Sequence, residues 1–208
     1  MLFAVLQAEV TPAMLLNGTH KFHLRSYLVV LENLGDPDLM DIFVYNRHEV
    51  RMAMNPVAAN PDNRDREAHI TNGSFSENTK RELVTNVPEL AGFQDKIETF
   101  VATTFGMHLL PDMLGRVRYS ASQEPDSRAD FVRKFAVAGV DMMISADGRI
   151  YLLEVNVNPA APPAHLIDDA FKQHLTGFMQ DMLDLVMSRP YHNFSLVRDI
   201  LEQKGLLD

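Results

Sequence analysis

The chain has 208 residues, 46% hydrophobic and 23% charged, which is enough apolar material for a sizeable core and argues against disorder. It has no cysteine, so disulfides, zinc–thiolate sites, iron–sulfur clusters and cysteine nucleophiles are excluded. A net charge of −9 argues against nucleic acid as a partner, and no apolar run approaches the roughly 20 residues that a membrane span requires. No basic stretch with a small-residue cleavage site suggests a secretory signal, so the expectation is a soluble cytoplasmic protein with no membrane partner.

In chain order, the apolar run at residues 2–8 reads as a buried strand. Residues 21–31 (KFHLRSYLVVL) alternate at first and then turn continuously apolar, as in a strand half exposed at one end and buried at the other. Gly35, Asp36 and Pro37 mark a turn. Two short strands follow at 41–45 and 49–54, then a polar, proline-containing loop at 55–67. Phe93, Ile97, Phe100, Val101 and Thr104 recur at helical spacing and predict an amphipathic helix over 92–108. After a polar stretch at 120–130, residues 131–144 and 149–155 read as strands joined by Ser145-Ala146-Asp147-Gly148, a hairpin signal. Three prolines within 158–163 break the second strand. From about residue 164, Leu166, Phe171, Leu175, Phe178, Met182, Leu183 and Val186 form a helical stripe whose ordinary role is core packing. A short helix over 194–203 closes the chain. With no internal repeat, residues 1–208 read as one domain of the α+β class, mainly antiparallel sheet flanked by helices.

The hairpin carries the first chemical signal. If Asp147 and Gly148 are its two central residues, Asp141 and Glu154 are direct cross-strand neighbours, and Asn156 points to the same face. Two carboxylates facing each other in otherwise apolar strands repel. A hard divalent cation, Mg²⁺ or Mn²⁺, would offset that repulsion and suits carboxylate and amide oxygens. The alternative is that one carboxylate pairs with a basic residue and the other faces solvent. A shared-proton acid–base pair fits less well, because no second cleft wall is visible for it.

A second signal lies in the basic strands. Lys21, His23 and Arg25 line one strand face, and Arg47 and Arg51 repeat the theme one hairpin later. Cations beside a metal suit phosphate transfer; a solvated edge strand bearing ordinary surface charge is the alternative. The segment 69–73 (HITNG) suits a turn or cap, and equally contacts to a nucleotide. The remaining histidines show no metal-site spacing and read as structural or surface residues.

Taken together and in order, these segments resemble the C-terminal part of the tubulin–tyrosine ligase family of the ATP-grasp superfamily. KFHLRSYLVV resembles the family's K-F-D-I-R-x-Y/W strand, HITN its H-L-T-N, and VDMMISADGRIYLLEVNVNPA its carboxylate hairpin ending E-V-N-x-x-P. The resemblance covers roughly residues 5–165. It implies an ATP-grasp-like C-terminal lobe and an ATP-dependent ligase that joins a carboxylate to an amine through an acyl-phosphate. By that resemblance Asp141, Glu154 and Asn156 match magnesium ligands, and Arg25 matches an arginine meeting the terminal phosphate and the acyl-phosphate. Arg51 matches a second arginine, so Arg25, Arg51 and Glu154 are the expected catalytic residues. Lys21, Thr71 and Asn72 match the nucleotide side, and Gln7 opens the segment 7–10 that aligns with the adenine-holding hinge. The implied partners are ATP, Mg²⁺ or Mn²⁺, an amino acid, and a protein acceptor such as tubulin, with a cytoskeletal setting. The charge of −9 disfavours an acidic tail at long range and leaves a small molecule or another peptide as the alternative acceptor. Several positions depart from the family pattern. His23 stands where Asp is usual, Val57 follows Pro56 where tyrosine is common, and the hinge lacks its usual lysine and aromatic. The family's N-terminal and central lobes would precede residue 1, so the expectation is a single lobe that binds ATP weakly alone, or a non-catalytic binding module.

Overall fold

A strand that is apolar at both alternating sets of positions can be buried on both faces, and Phe22–Glu32 (β1) is buried over its first ten residues. In the computed structural model, which describes residues 8–33, 40–57, 65–69, 71, 79–109, 134–159 and 167–207, β1 runs through the middle of a seven-stranded sheet. Along one edge of β1 lie Met40–Tyr45 (β2), beside its second half, and Glu49–Met52 (β3), beside its first. Residues 46–48 break what would otherwise be one strand. There the Asn46 amide donates to the Asn193 carbonyl and the His48 carbonyl accepts from the Val84 amide. Each half then gains its own outer neighbour. Lys80–Leu83 (β4) pairs with β3. On the other edge Phe135–Ile144 (β5) pairs with β1, and Ile150–Val157 (β6) lies outside β5. Phe194–Leu196 (β7) pairs with β2. Every pairing is antiparallel.

Among the described residues four α-helices accompany the sheet: Arg66–His69 (α1), Gln94–Ala102 (α2), Asp169–Val186 (α3) and Val197–Gln203 (α4). One face of the sheet (Leu24, Leu28, Ile42, Val44, Val140 and Met142) packs against Ile97 and Val101 of α2 and Ile200 and Leu201 of α4. The other carries Tyr27, Val29, Leu31, Phe43 and Tyr45 against Phe178, Met182 and Leu185 of α3, with Tyr27 stacked on Phe178 at 4.6 Å between centroids. On β1 that second apolar cluster begins at Tyr27. The residues of the same face ahead of it, His23 and Arg25, are polar, and so are their neighbours across the sheet.

Several expectations need correction. β1 is not half exposed: strands flank it on both sides, so it is no edge, and its cationic residues are buried with partners. The helix expected over 92–108 is α-helical only to Ala102 and continues as a π turn, Thr103–Leu109. A Cβ on Gly106 of that turn would lie 2.7 Å from both Val197 and Leu201, so the wider turn brings bare backbone against α4. In α3 the buried stripe is Phe171, His174, Phe178, Asp181, Met182 and Leu185. Leu183, expected in it, faces outward because it lies off the 3.6-residue repeat. The Asp168 carboxylate caps α3 by accepting from the Phe171 amide at 2.8 Å. β4 was not expected, and the closing helix is preceded by β7. The readings on residues 2–7, 35–37, 58–64, 70, 72–73 and 120–133, and Pro162, Pro163 and Leu166, fall outside the described residues.

The break between β2 and β3 holds a titratable group. His48 is fully buried, with Nδ1 2.7 Å from Ser26 Oγ and Nε2 3.9 Å from Glu98 Oε1. Burial pushes its pKa from 6.5 down to about 3. The unfolded chain therefore binds a proton here below about pH 6.5 that the folded chain refuses until about pH 3, and stability falls as pH drops through that window. The contribution is at most about 1.4 kcal/mol per pH unit. Urea unfolding between pH 7 and pH 4.5, before most carboxylates titrate, should show a falling midpoint. His48→Gln should flatten that slope, and an unchanged slope would show that the proton goes elsewhere.

Candidate active site

The polar half of the second sheet face is organised as rows of cross-strand neighbours. One row runs across four strands: Glu49 on β3, Arg25 on β1, Asp141 on β5 and Glu154 on β6. The next holds Arg81 on β4, Arg51 on β3 and His23 on β1. On the other side of the first row lie Tyr27, Gly139 and Asn156. Side chains in one row sit roughly 5 Å apart at Cβ, so the alternation of charge along Glu49, Arg25 and Asp141 is what allows them to be buried together. Arg25 grips Asp141 with two parallel bonds, from Nε to Oδ1 and from Nη2 to Oδ2, the latter at 2.6 Å. Arg51 donates from Nε and Nη2 to Glu49 Oε2 at 3.2 and 2.9 Å, and the Tyr27 hydroxyl donates to Glu49 Oε1 at 2.9 Å. His174 of α3 brings Nε2 within 3.3 Å of the same Oε1.

Asp141 and Glu154 do face each other, but not for the expected reason. The hairpin does not close through a two-residue turn. Ile144 pairs with Ile150 and Met142 with Leu152, and the Ser145 amide donates to the Arg149 carbonyl around the three residues 146–148, with Gly148 at φ 79°. This is the three-residue loop with glycine in the left-handed position. Continued unchanged, that register would place Glu154 opposite Val140, on the core face. The register shifts between Met142 and Asp141, leaving Leu153 unpaired as a β-bulge, and beyond it Asp141 pairs with Glu154 and Gly139 with Asn156. The bulge re-aims Glu154 onto the polar face. On the turn side of the bulge the three-residue loop decides which β6 side chains reach the core: Ile150 and Leu152 do, whereas Tyr151 is exposed.

Asn156 closes the row. Its Nδ2 donates to Asp141 Oδ2 at 3.2 Å and to Glu154 Oε1 at 2.9 Å, tying the two carboxylates together. Beyond it the chain turns at Asn158, which takes φ 51°, a conformation asparagine tolerates, and its amide donates to the Val137 carbonyl.

The electrostatics follow from burial and pairing. Burial alone would raise the Asp141 pKa, but the Arg25 bonds and charge hold it below the usual carboxylate range. Glu49 is likewise pushed up by burial and pulled further down by His174 and Arg51. Burial lowers His23 to about 4 despite the attraction of Asp141. The imidazole is therefore neutral near pH 7, and its 3.7 Å approach to Asp141 is not an ion pair. His23 Nδ1 instead shares a hydrogen bond with Thr71 Oγ1.

Of the residues singled out in the sequence, Arg25, Arg51, Asp141, Glu154 and Asn156 converge on this face. Thr71 joins them through His23. Lys21 sits at the start of β1, where Nζ pairs with Glu9 at 3.1 Å. Gln7 and Asn72 lie outside the described residues. Sequence reasoning missed Glu49, Tyr27, His174 and Gly139. A Cβ on Gly139 would come within 2.9 Å of Arg25 Nη1 and 3.1 Å of Pro159 Cβ, so only glycine leaves room for the Arg25 side chain to lie along β5. The G-x-D spacing before Asp141 was the available signal. Among the described residues no three His, Cys, Asp or Glu side chains cluster as a metal site; the cluster here is two carboxylates and an amide. No helix among them is long and apolar enough to cross a membrane.

The model of the tubulin-tyrosine ligase family matches residues 10–190, well over half of the chain, and the chain belongs to that family. Its members are ATP-grasp-type ligases, and the mixed α+β architecture with a largely antiparallel sheet accords with such a domain. A search of curated proteins gave no match.

The two ends of the charge row should respond oppositely to neutralisation. Glu49 is fully buried, so Glu49→Gln leaves Arg51 without its counter-ion and should cost about 3–5 kcal/mol in urea unfolding. Glu154 is exposed, and Glu154→Gln should stay within about 0.5 kcal/mol of the parent. Gly139→Ala should cost about 1–3 kcal/mol by forcing Arg25 or Pro159 aside. Equal effects at Glu49 and Glu154 would mean that the row is not divided into a buried structural end and an accessible one.

Proposed function

We propose that this chain carries the metal- and phosphate-binding surface of an ATP-dependent carboxylate–amine ligase. The observation that supports the reading is the row in which Arg25 holds Asp141 opposite Glu154, with Asn156 bridging the carboxylates. In this reading Asp141, Glu154 and Asn156 hold Mg²⁺, or Mn²⁺ in its place. The donor set fits a hard cation. Asp141 Oδ1, bonded by Arg25 alone, keeps a further lone pair, and Glu154 is exposed; the Asn156 amide, turned over, frees a lone pair on Asp141 Oδ2 and offers Oδ1 where Nδ2 now lies. When bound, such a cation would neutralise phosphate charge.

The protein's own groups position and neutralise. Arg25, through Nη1, and Arg51 face the phosphoryl group as a substrate carboxylate oxygen bonds to the γ-phosphorus and ADP departs with the broken bond's electrons. An amine then attacks the acyl carbon, phosphate leaves, and an amide results. The low-dielectric setting of Arg25 and Arg51 strengthens their action on developing charge. Lys21 and Thr71, together with Gln7 and Asn72, take the nucleotide side. No side-chain nucleophile is needed, because positioning lowers the barrier. The acceptor is an amino acid, a peptide or a tubulin-like protein tail; the guanidinium groups of Arg25 and Arg51 give an acidic group a local attraction that the net charge of −9 opposes at long range.

A non-catalytic binding module is the second reading. One observation favours it: the forks of Arg25 and Arg51 already rest on Asp141 and Glu49, so the network neutralises itself without a ligand.

Mn²⁺ titration followed by electron paramagnetic resonance separates the two. Under the ligase reading the chain binds Mn²⁺, and Glu154→Gln weakens that binding at least tenfold, about 1.4 kcal/mol, with the unfolding midpoint unchanged. Equal Mn²⁺ affinity in parent and variant would leave the binding-module reading standing.

A further inference from the structure

A cavity of about 240 Å³ lies between the sheet and α3, lined by Tyr27, Val137, Pro159, Phe178, Met179 and Met182 among others. Its walls are mostly aromatic, aliphatic and thioether groups, and the Tyr27 hydroxyl is turned away onto Glu49. An apolar cavity of about 150 Å³ already admits benzene, so this one takes a branched aliphatic or phenyl group. It is smaller than the roughly 300 Å³ at which sites for whole drug-sized ligands begin.

The cavity adjoins the charge row. Arg25 Nη1 and Pro159 Cβ lie 2.9 and 3.1 Å from the same point above Gly139, so the guanidinium and the cavity wall are at most about 6 Å apart. Nε and Nη2 of Arg25 are committed to Asp141, while Nη1, on the Pro159 side, makes no hydrogen bond among the described residues. A cation with free donors beside an apolar cavity matches a carboxylate joined by a short link to an apolar group.

We propose that this cavity receives the apolar side chain of an amino-acid substrate whose carboxylate rests on Arg25 Nη1. The proposal rests on the ligase reading for its class of ligand, and its substrate is of the leucine, methionine or phenylalanine type rather than acidic. Adenine is the rival occupant. It fits less well, because a purine needs several hydrogen-bond partners and this lining offers little beyond the Asn158 amide.

Met179 and Met182 are probes already in place. Methyl-¹³C-methionine NMR of the chain, with the two resonances assigned through Met179→Leu and Met182→Leu, should show both shifting on addition of L-leucine or L-phenylalanine. L-glutamate and leucinamide, which lack the apolar group and the carboxylate respectively, should bind at least tenfold more weakly. No shift with either apolar amino acid at millimolar concentration, a shift with adenosine instead, or leucinamide binding as well as leucine would each overturn the proposal. The measurement needs neither nucleotide nor turnover. Failure of the ligase reading appears separately, as Mn²⁺ affinity indifferent to Glu154→Gln.

Discussion

The structure turns on charge buried in its central strand. β1 has neighbours on both edges and helices over both faces, yet it places Arg25 inside the sheet. An unpaired guanidinium there would cost several kcal/mol; Asp141 and Glu49, on the strands either side, remove that cost by lying in the same row. Arg51 then balances Glu49, Tyr27 donates a hydrogen bond to it, and His174 approaches the same oxygen. Each strand thus contributes one charge to a row that is satisfied only when all of them are in register. The register of β3, β1 and β5 is therefore fixed by electrostatics as well as by the apolar face beneath, because slipping one strand by a residue would bury the charges among aliphatic side chains.

What the sequence made legible is what depends on short-range patterning. The strands Phe22–Glu32 and Phe135–Ile144 and the helical stripe of Asp169–Val186 follow from spacing. The class α+β follows from their order. β4 (KREL) escaped because three of its four residues are charged: it exists through pairing with β3, and no local pattern announces it. β7 has only three residues, Phe194–Leu196, too few to show an alternation. The π turn at Thr103–Leu109 depends on α4 approaching Gly106, a contact almost a hundred residues away in sequence. The cationic stripe was legible as a stripe, but its burial was not, since whether a strand is central or at an edge is decided by partners elsewhere in the chain.

The carboxylate pair shows how a correct expectation can rest on an incomplete reason. A two-residue turn at Asp147-Gly148 gives the right facing pair, as does a three-residue loop combined with a one-residue bulge, because the two changes in register cancel beyond Leu153. They do not cancel nearer the turn, where Ile150 and Leu152 rather than Tyr151 and Leu153 reach the core. Leu153 is apolar and gives no signal as the unpaired residue. The bulge becomes intelligible only from the requirement it meets: apolar packing near the turn and a carboxylate pair four residues later cannot share one uninterrupted alternation.

This division of β6 also explains why the two carboxylates differ. Asp141 lies on an inner strand and is held by the planar fork of Arg25, so its position is set before any ligand arrives. Glu154 lies on the outermost strand, exposed and tied only through the Asn156 amide, so it can move at little cost. Were both buried and unpaired, their repulsion would raise one pKa and discard the charge that attracts a cation. Were both exposed, neither would be oriented. With one carboxylate clamped and the other exposed, the ordering cost for half the pair is met during folding. Arg25 is the residue that makes this possible, since its Nε and Nη2 fix Asp141 while Nη1 stays available on the side of Pro159. A lysine at that position would neutralise Asp141 as a point charge but could not both orient the carboxylate and present a donor to the neighbouring cavity.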